Sequence, residues 1–125
     1  MTVAVKICGI TNRIDAMNAV AAGADYLGFV LSESPRLVSP TEVAQLRHCL
    51  PAHVKAVGVF VDESLDFVNE VADRCRLDVV QLQGMEGPEL CSDCHRPVFK
   101  GIHVDQRQSL QAFGDYEVEA LLFDA

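Results

Sequence analysis

A parallel α/β fold is the class this sequence predicts, and three observations predict it. Six short, nearly continuous apolar runs recur, at 3–8, 25–30, 54–61, 79–82, 98–102 and 120–123. Runs without polar alternation are what a sheet buried on both faces requires, which favours parallel over half-solvated antiparallel pairing. Their starts lie 22, 29, 25, 19 and 22 residues apart, the interval of a strand, a loop, a short helix and a return loop. The gaps themselves carry helical patterns. Strict strand-helix alternation implies right-handed crossovers, used by the closed eight-stranded barrel and by the open doubly wound sheet, and composition does not choose between them.

The elements follow in order. After the first apolar run, Thr11-Asn12 caps a helix with Asp15 in its first turn, Ala16, Ala19 and Val20 on one face, and Gly23 at its end. After the second, Ser39-Pro40-Thr41-Glu42 combines a cap residue, proline at the first helical position and a carboxylate three residues on; Val43, Leu46 and Leu50 form the stripe. The third gap places Phe67, Val68, Val71, Ala72 and Cys75 at helical spacing. The fourth, 87–94, carries the weakest helical signal. The fifth is predicted helical from Asp105 through Gln108, Leu110 and Phe113 to Gly114. No linker, low-complexity segment or second domain interrupts 1–125, so a single domain is expected, with about five βα units and a sixth strand. A closed barrel typically takes about 250 residues, more than this chain has.

Composition narrows the function. With 50% hydrophobic and 22% charged residues the chain has ample core material. A net charge of −8, from 10 basic and 18 acidic residues with no basic cluster, lacks the footprint of a nucleic-acid binder. No run approaches the eighteen or so apolar residues that span a bilayer, and MTVAVKICG has no signal-peptide core; no membrane association and a cytoplasmic location are expected. Five cysteines, an odd number spread through apolar segments, fit reduced thiols.

In either architecture the chemistry sits at the carboxyl ends of the strands: Cys8-Gly9, the loop from Leu31 to Arg36, Val61-Asp62, Gln83-Gly84, His103 and Asp124. A thiol at Cys8 and a carboxylate at Asp124 can divide general-base and general-acid work. As structural residues they would be a small core side chain and a frayed terminal charge. Arg36, after Ser34-Pro35, has the planar fork that holds a carboxylate bidentately, though a loop arginine is commonly just solvated. Lys6 and Lys100 interrupt apolar strands, either lining an interior or snorkelling from strand ends. Cys91-Ser92-Asp93-Cys94-His95 matches the short haem-attachment pattern, and its CxxC part a thiol redox or half-zinc site. Without an export signal or a second Cys/His pair, and with Leu90, Cys91 and Cys94 facing inward on a helix, a core role is expected. His48, His53, His95 and His103 show no ligand spacing and read mostly as surface residues.

Taken together, Lys6-Ile7-Cys8-Gly9-Ile10-Thr11, Gly23-Ala24-Asp25 with Gly28-Phe29-Val30, Ser34-Pro35-Arg36 with Ser39-Pro40, Val57-Gly58-Val59-Phe60-Val61, Val80-Gln81-Leu82-Gln83-Gly84 and Leu122-Phe123-Asp124 resemble phosphoribosylanthranilate isomerase of tryptophan biosynthesis. The motifs stand in the family's order, and the likeness covers essentially the whole chain. The resemblance implies a (β/α)₈ TIM barrel, here a partial one, that works without cofactor or metal on a small phosphosugar-anthranilate substrate. Its reaction is an Amadori rearrangement of N-(5-phosphoribosyl)anthranilate to the 1-deoxyribulose 5-phosphate derivative. By the same resemblance Asp124 is the general acid, Cys8 the general base, Arg36 the partner of the anthranilate carboxylate, and Gln81 and Gln83 substrate-binding residues. Gln83 departs from the family, which commonly has histidine there. The family's phosphate-binding loops follow its last two strands, and strands seven and eight have no counterpart in this sequence. Little or no activity of 1–125 alone is therefore the expectation, since remote binding energy positions the reacting centre. Two other readings remain: a non-catalytic folding module whose open sheet edges favour self-association, and a different phosphosugar barrel enzyme or thiol protein.

Overall fold

The computed structural model describes residues 2–103 and 113–124. Six strands, β1 (Lys6–Cys8), β2 (Tyr26–Val30), β3 (Lys55–Phe60), β4 (Val79–Leu82), β5 (Val98–His103) and β6 (Ala120–Asp124), form one sheet in sequential order, every pairing parallel. Among the described residues four helices alternate with them: α1 (Arg13–Ala21), α2 (Pro40–His48), α3 (Leu65–Arg74) and α4 (Pro88–Ser92). The expected helix at 105–114 lies largely outside the described residues. Sequential order without reversal excludes the doubly wound sheet, whose strand order switches direction. What remains is the barrel topology, as six strands of an α/β half-barrel.

Local chemistry sets the element ends. Asn12 accepts from the Asp15 amide (2.8 Å), Ser39 from Glu42 (3.2 Å) and Ser64 from Phe67 (3.1 Å), each satisfying an amide the first helical turn leaves free. The first strand is shorter than its apolar run: Val3 is 83% exposed, and pairing begins only at Lys6. The weak helical signal at 87–94 resolves into a single turn.

The core is split by the sheet. Outer-face residues Leu27, Phe29, Ala56, Phe60, Val80, Leu82 and Val98 pack on Val43 and Leu46 of α2 and Val68, Val71 and Ala72 of α3. A smaller cluster of Val57, Val79 and Phe99 with Tyr26, Ala120 and Leu122 fills the concave face. Lys100 belongs to the outer face, not the interior, because its register partners are Leu82 and Leu121. Lys6, partner of Tyr26, is on the concave side.

Register places the inward residues in levels. In an eight-stranded barrel of shear 8 the ladder slips by about one residue per strand step, so side chains at one height come from alternate strands. Applied to the observed pairings, that slip sets Lys6, Val57 and Phe99 at one height, and Gly28, Gln81 and Leu122 above them. Cys8, Val59 and Gly101 come next, and Val30, Gln83 and Asp124 form the rim. Cys8 and Asp124, on the first and sixth strands, thus stand one level apart on the same face.

Candidate active site

Cys8 ends β1, half-buried on the concave face. Its neighbour across the ladder is Gly28, where an added Cβ would come within 2.9 Å of the Cys8 sulfur, so glycine there leaves the thiol its space. The chain then turns sharply at Gly9, with φ +85°, a conformation L side chains rarely adopt. The Gly9 and Ile10 amides both donate to the Gly28 carbonyl (3.0 Å each), fixing the strand end that carries the thiol.

Arg36 comes to the same corner. Ser34 accepts from the Arg36 amide (3.1 Å), tightening the loop after β2. The guanidinium then lies over Gly9, where a side chain would strike it, and its Nη1 donates to the Cys8 carbonyl at 3.4 Å. The structure therefore brings an exposed guanidinium to the backbone of the Cys8-Gly9 corner.

On the other side of the concave face, Gln81 is 6% exposed and its Nε2 donates to Gln83 Oε1 at 2.9 Å. Gln81 Oε1 is buried without a hydrogen-bond partner, a costly state that a ligand donor would relieve. The Gln83 amide lies on Gly101 of β5, where any side chain would displace it. Asp124 ends β6, exposed at the rim and paired in register with His103. His103, one of the strand-end positions and among histidines read mostly as surface residues, is exposed, but its parity puts it on the concave side and its Nε2 meets the Gln83 carbonyl oxygen at 3.3 Å.

Behind the rim, Lys100 and Glu86 form an ion pair of 3.1 Å with side chains only 3% and 2% exposed. Lys100 also donates to the carbonyls of Gly84 (2.8 Å), Gly101 (3.0 Å) and Leu82 (3.3 Å). Glu86 accepts from the Asp62 amide (2.9 Å), and its carbonyl from the Tyr116 hydroxyl (2.8 Å). Satisfied on every side, the pair clamps the backbone on either flank of Gln83 and at Gly101. Sequence reasoning missed this because an interrupting lysine does not reveal which face it leaves by.

The Cys91–His95 motif is not assembled for metal or redox work. Cys91 is buried on α4, and the half-buried Cys94 lies within 3.3 Å of the Leu90 carbonyl. Burial pushes the Cys94 thiol from 9.0 up to about 11, with Cys91, Asp93 and Glu86 adding to the shift, and burial raises Cys91 as well. Both therefore resist becoming the thiolate that chemistry or metal binding needs. His95 turns away to Asp73 (2.9 Å), whose carboxyl is held below the usual range by that hydrogen bond and by Arg96. Among the described residues no cluster of three His, Cys, Asp or Glu is placed to hold a metal ion. A groove of 460 Å³ beside this motif, lined by Cys94, Arg96, Glu117 and Glu119, opens at the amino ends of β5 and β6, away from the rim. Also among the described residues, no helix is long and apolar enough to cross a membrane.

Comparison with known proteins identifies one family and one fold. Residues 5–125 match the family model described as N-(5'phosphoribosyl)anthranilate (PRA) isomerase. The chain is 52% identical over 122 residues to the N-(5'-phosphoribosyl)anthranilate isomerase of Geobacter sp. (strain M21), covering 97% of this chain and 60% of that one. It is 50% identical over 124 residues to that of Geobacter sulfurreducens, covering 98% and 61%. The phosphoribosyl anthranilate isomerase of Thermus thermophilus superimposes with a TM-score of 0.92 at 37% identity, over 98% of this chain and 62% of that structure. A phosphoribosyl anthranilate isomerase in complex with reduced 1-(o-carboxyphenylamino)-1-deoxyribulose 5-phosphate gives 0.91 at 39% identity, over 98% and 65%. The chain thus spans about three fifths of the length of these curated relatives.

Proposed function

This chain belongs to the N-(5'-phosphoribosyl)anthranilate isomerase family, and we propose that it carries that family's acid-base pair, for rearrangement of N-(5-phosphoribosyl)anthranilate in tryptophan biosynthesis. The observation that supports this most is the register: Cys8 and Asp124 share one face, one level apart, with Arg36 bonded to the Cys8 carbonyl. Asp124 gives its proton to the ribose ring oxygen; the C1–O bond breaks and the nitrogen lone pair forms the iminium. The Cys8 thiolate then removes the proton on C2, and the C–H electrons flow toward the iminium nitrogen to give the enolamine, which tautomerises to the ketone. Each proton is moved between adjacent groups, so neither metal nor redox cofactor enters the scheme. Arg36 holds the anthranilate carboxylate, and Gln81 and Gln83 bind the sugar. A cytoplasmic location is part of the proposal, supported by membership of this biosynthetic enzyme family. The test is turnover by the protein at its natural length, followed as loss of phosphoribosylanthranilate fluorescence; a purified, folded protein that leaves the fluorescence unchanged contradicts the reading.

Self-association is a second part of the proposal. Among the described residues β1 and β6 each have one strand neighbour, and Ile7 of β1 (40%) and Val5 just before it (45%) are exposed. Such edges favour pairing with another chain. Multi-angle light scattering of the 125-residue chain across a hundredfold concentration range should show mass rising above 13.6 kDa; a constant monomer mass contradicts it.

A further inference from the structure

Gln83 and Asp124 stand at the rim on β4 and β6, two strand steps apart, with β5 between them. Strands lie about 4.8 Å apart, so roughly 10 Å separates the two backbones, and an ordinary side chain on β5 would stand in the gap. On β5 the inward positions are Gly101, in line with Gln83, and His103, in register with Asp124, so it is the Gln83 side of that gap that a glycine leaves open. An added Cβ there would meet Gln83 Oε1, Cδ and Nε2 as its three nearest atoms, so what occupies the missing side chain's space is the Gln83 amide itself. Gln81 Nε2 donates to Gln83 Oε1, which commits that oxygen and leaves the Gln83 N–H groups directed elsewhere. The pair therefore has polarity: a buried, unpartnered acceptor at Gln81 Oε1 and a donor at the rim.

We propose that Gly101 is a positioning residue, the seat that lets the Gln83 amide reach across β5 and present an N–H to a sugar hydroxyl of substrate held between Cys8 and Asp124. This rests on the isomerase reading and assigns the sugar contact within it. A side chain at position 101 acts only through Gln83. A hydrogen bond made equally to bound substrate and transition state changes KM rather than kcat.

The experiment compares Gln83→Ala, Gly101→Ala and the double variant, in the protein at its natural length, by steady-state kinetics. Calorimetric binding of reduced 1-(o-carboxyphenylamino)-1-deoxyribulose 5-phosphate gives a readout independent of turnover. Each single variant should raise KM and weaken binding of the reduced compound about tenfold, the scale of one hydrogen bond, with kcat within about twofold. The double variant should be no worse than either single one. Unaltered binding by Gly101→Ala, or effects that multiply in the double variant, overturns the inference alone. A wild-type protein that does not bind the compound overturns the functional reading and this inference with it. Should Gly101→Ala not fold, Gln81→Leu, which removes the N–H orienting Gln83, carries the same expectation of a raised KM.

Discussion

Cys94 shows how a residue's surroundings decide whether its chemistry is available. Set just past α4 against the core and near Glu86, its thiol is pushed by burial from 9.0 up to about 11. The sign follows. A group whose folded pKa is raised contributes its stability fully below the unfolded value, and that contribution is lost as pH climbs from 9 toward 11. The melting temperature should therefore fall over this window, and Cys94→Ala should flatten the fall; an identical pH profile in the variant contradicts this origin. The motif that looked most like a cofactor site is thus core material, whereas the places of Cys8 and Asp124 at strand ends were legible because they end apolar runs. His103 and Lys100 were less so. Their roles depend on which face the strand turns them to, and a nearly continuous apolar run carries no alternation from which to read that parity.

At the scale of elements, the connection from β4 into α4 is the part most specified by polar contacts. Lys100 on β5 donates to three carbonyls and Glu86, so β4, β5 and the loop that leads into α4 are fastened at one point. Removing one partner of a buried pair leaves an uncompensated charge and costs roughly 3–5 kcal/mol, whereas replacing both by apolar residues is often neutral or better. Lys100→Met should therefore lower the unfolding free energy by about that amount in denaturant titration, and Lys100→Met with Glu86→Leu should recover most of it. Equal losses in single and double variants would show that the clamp is ordinary packing. The helix caps were readable from Ser39-Pro40 and Asn12 because capping is local chemistry. The clamp was not, since its partners are 14 to 18 residues apart and meet only through the fold.

For the whole molecule, alternation and spacing announced a parallel α/β sheet, and the barrel itself came from the strand-end motifs taken together. Sequential strand order decides between the two parallel architectures, and the slip of the ladder gives the order its functional meaning. Residues 8 and 124, as far apart in sequence as this chain allows a site to be, reach neighbouring levels because five successive pairings each preserve inward parity. A one-residue error in any of them would send Asp124 to the outer face. The most direct measurement of this arrangement is fluorescence-detected turnover by Cys8→Ser and Asp124→Asn in the protein at its natural length, each checked for binding of the reduced 1-deoxyribulose 5-phosphate compound. Both variants should bind the compound within about threefold of wild type while losing at least about a thousandfold in kcat, the loss of an interaction made only in the transition state. Turnover within tenfold of wild type in either variant would contradict the pairing of Cys8 with Asp124.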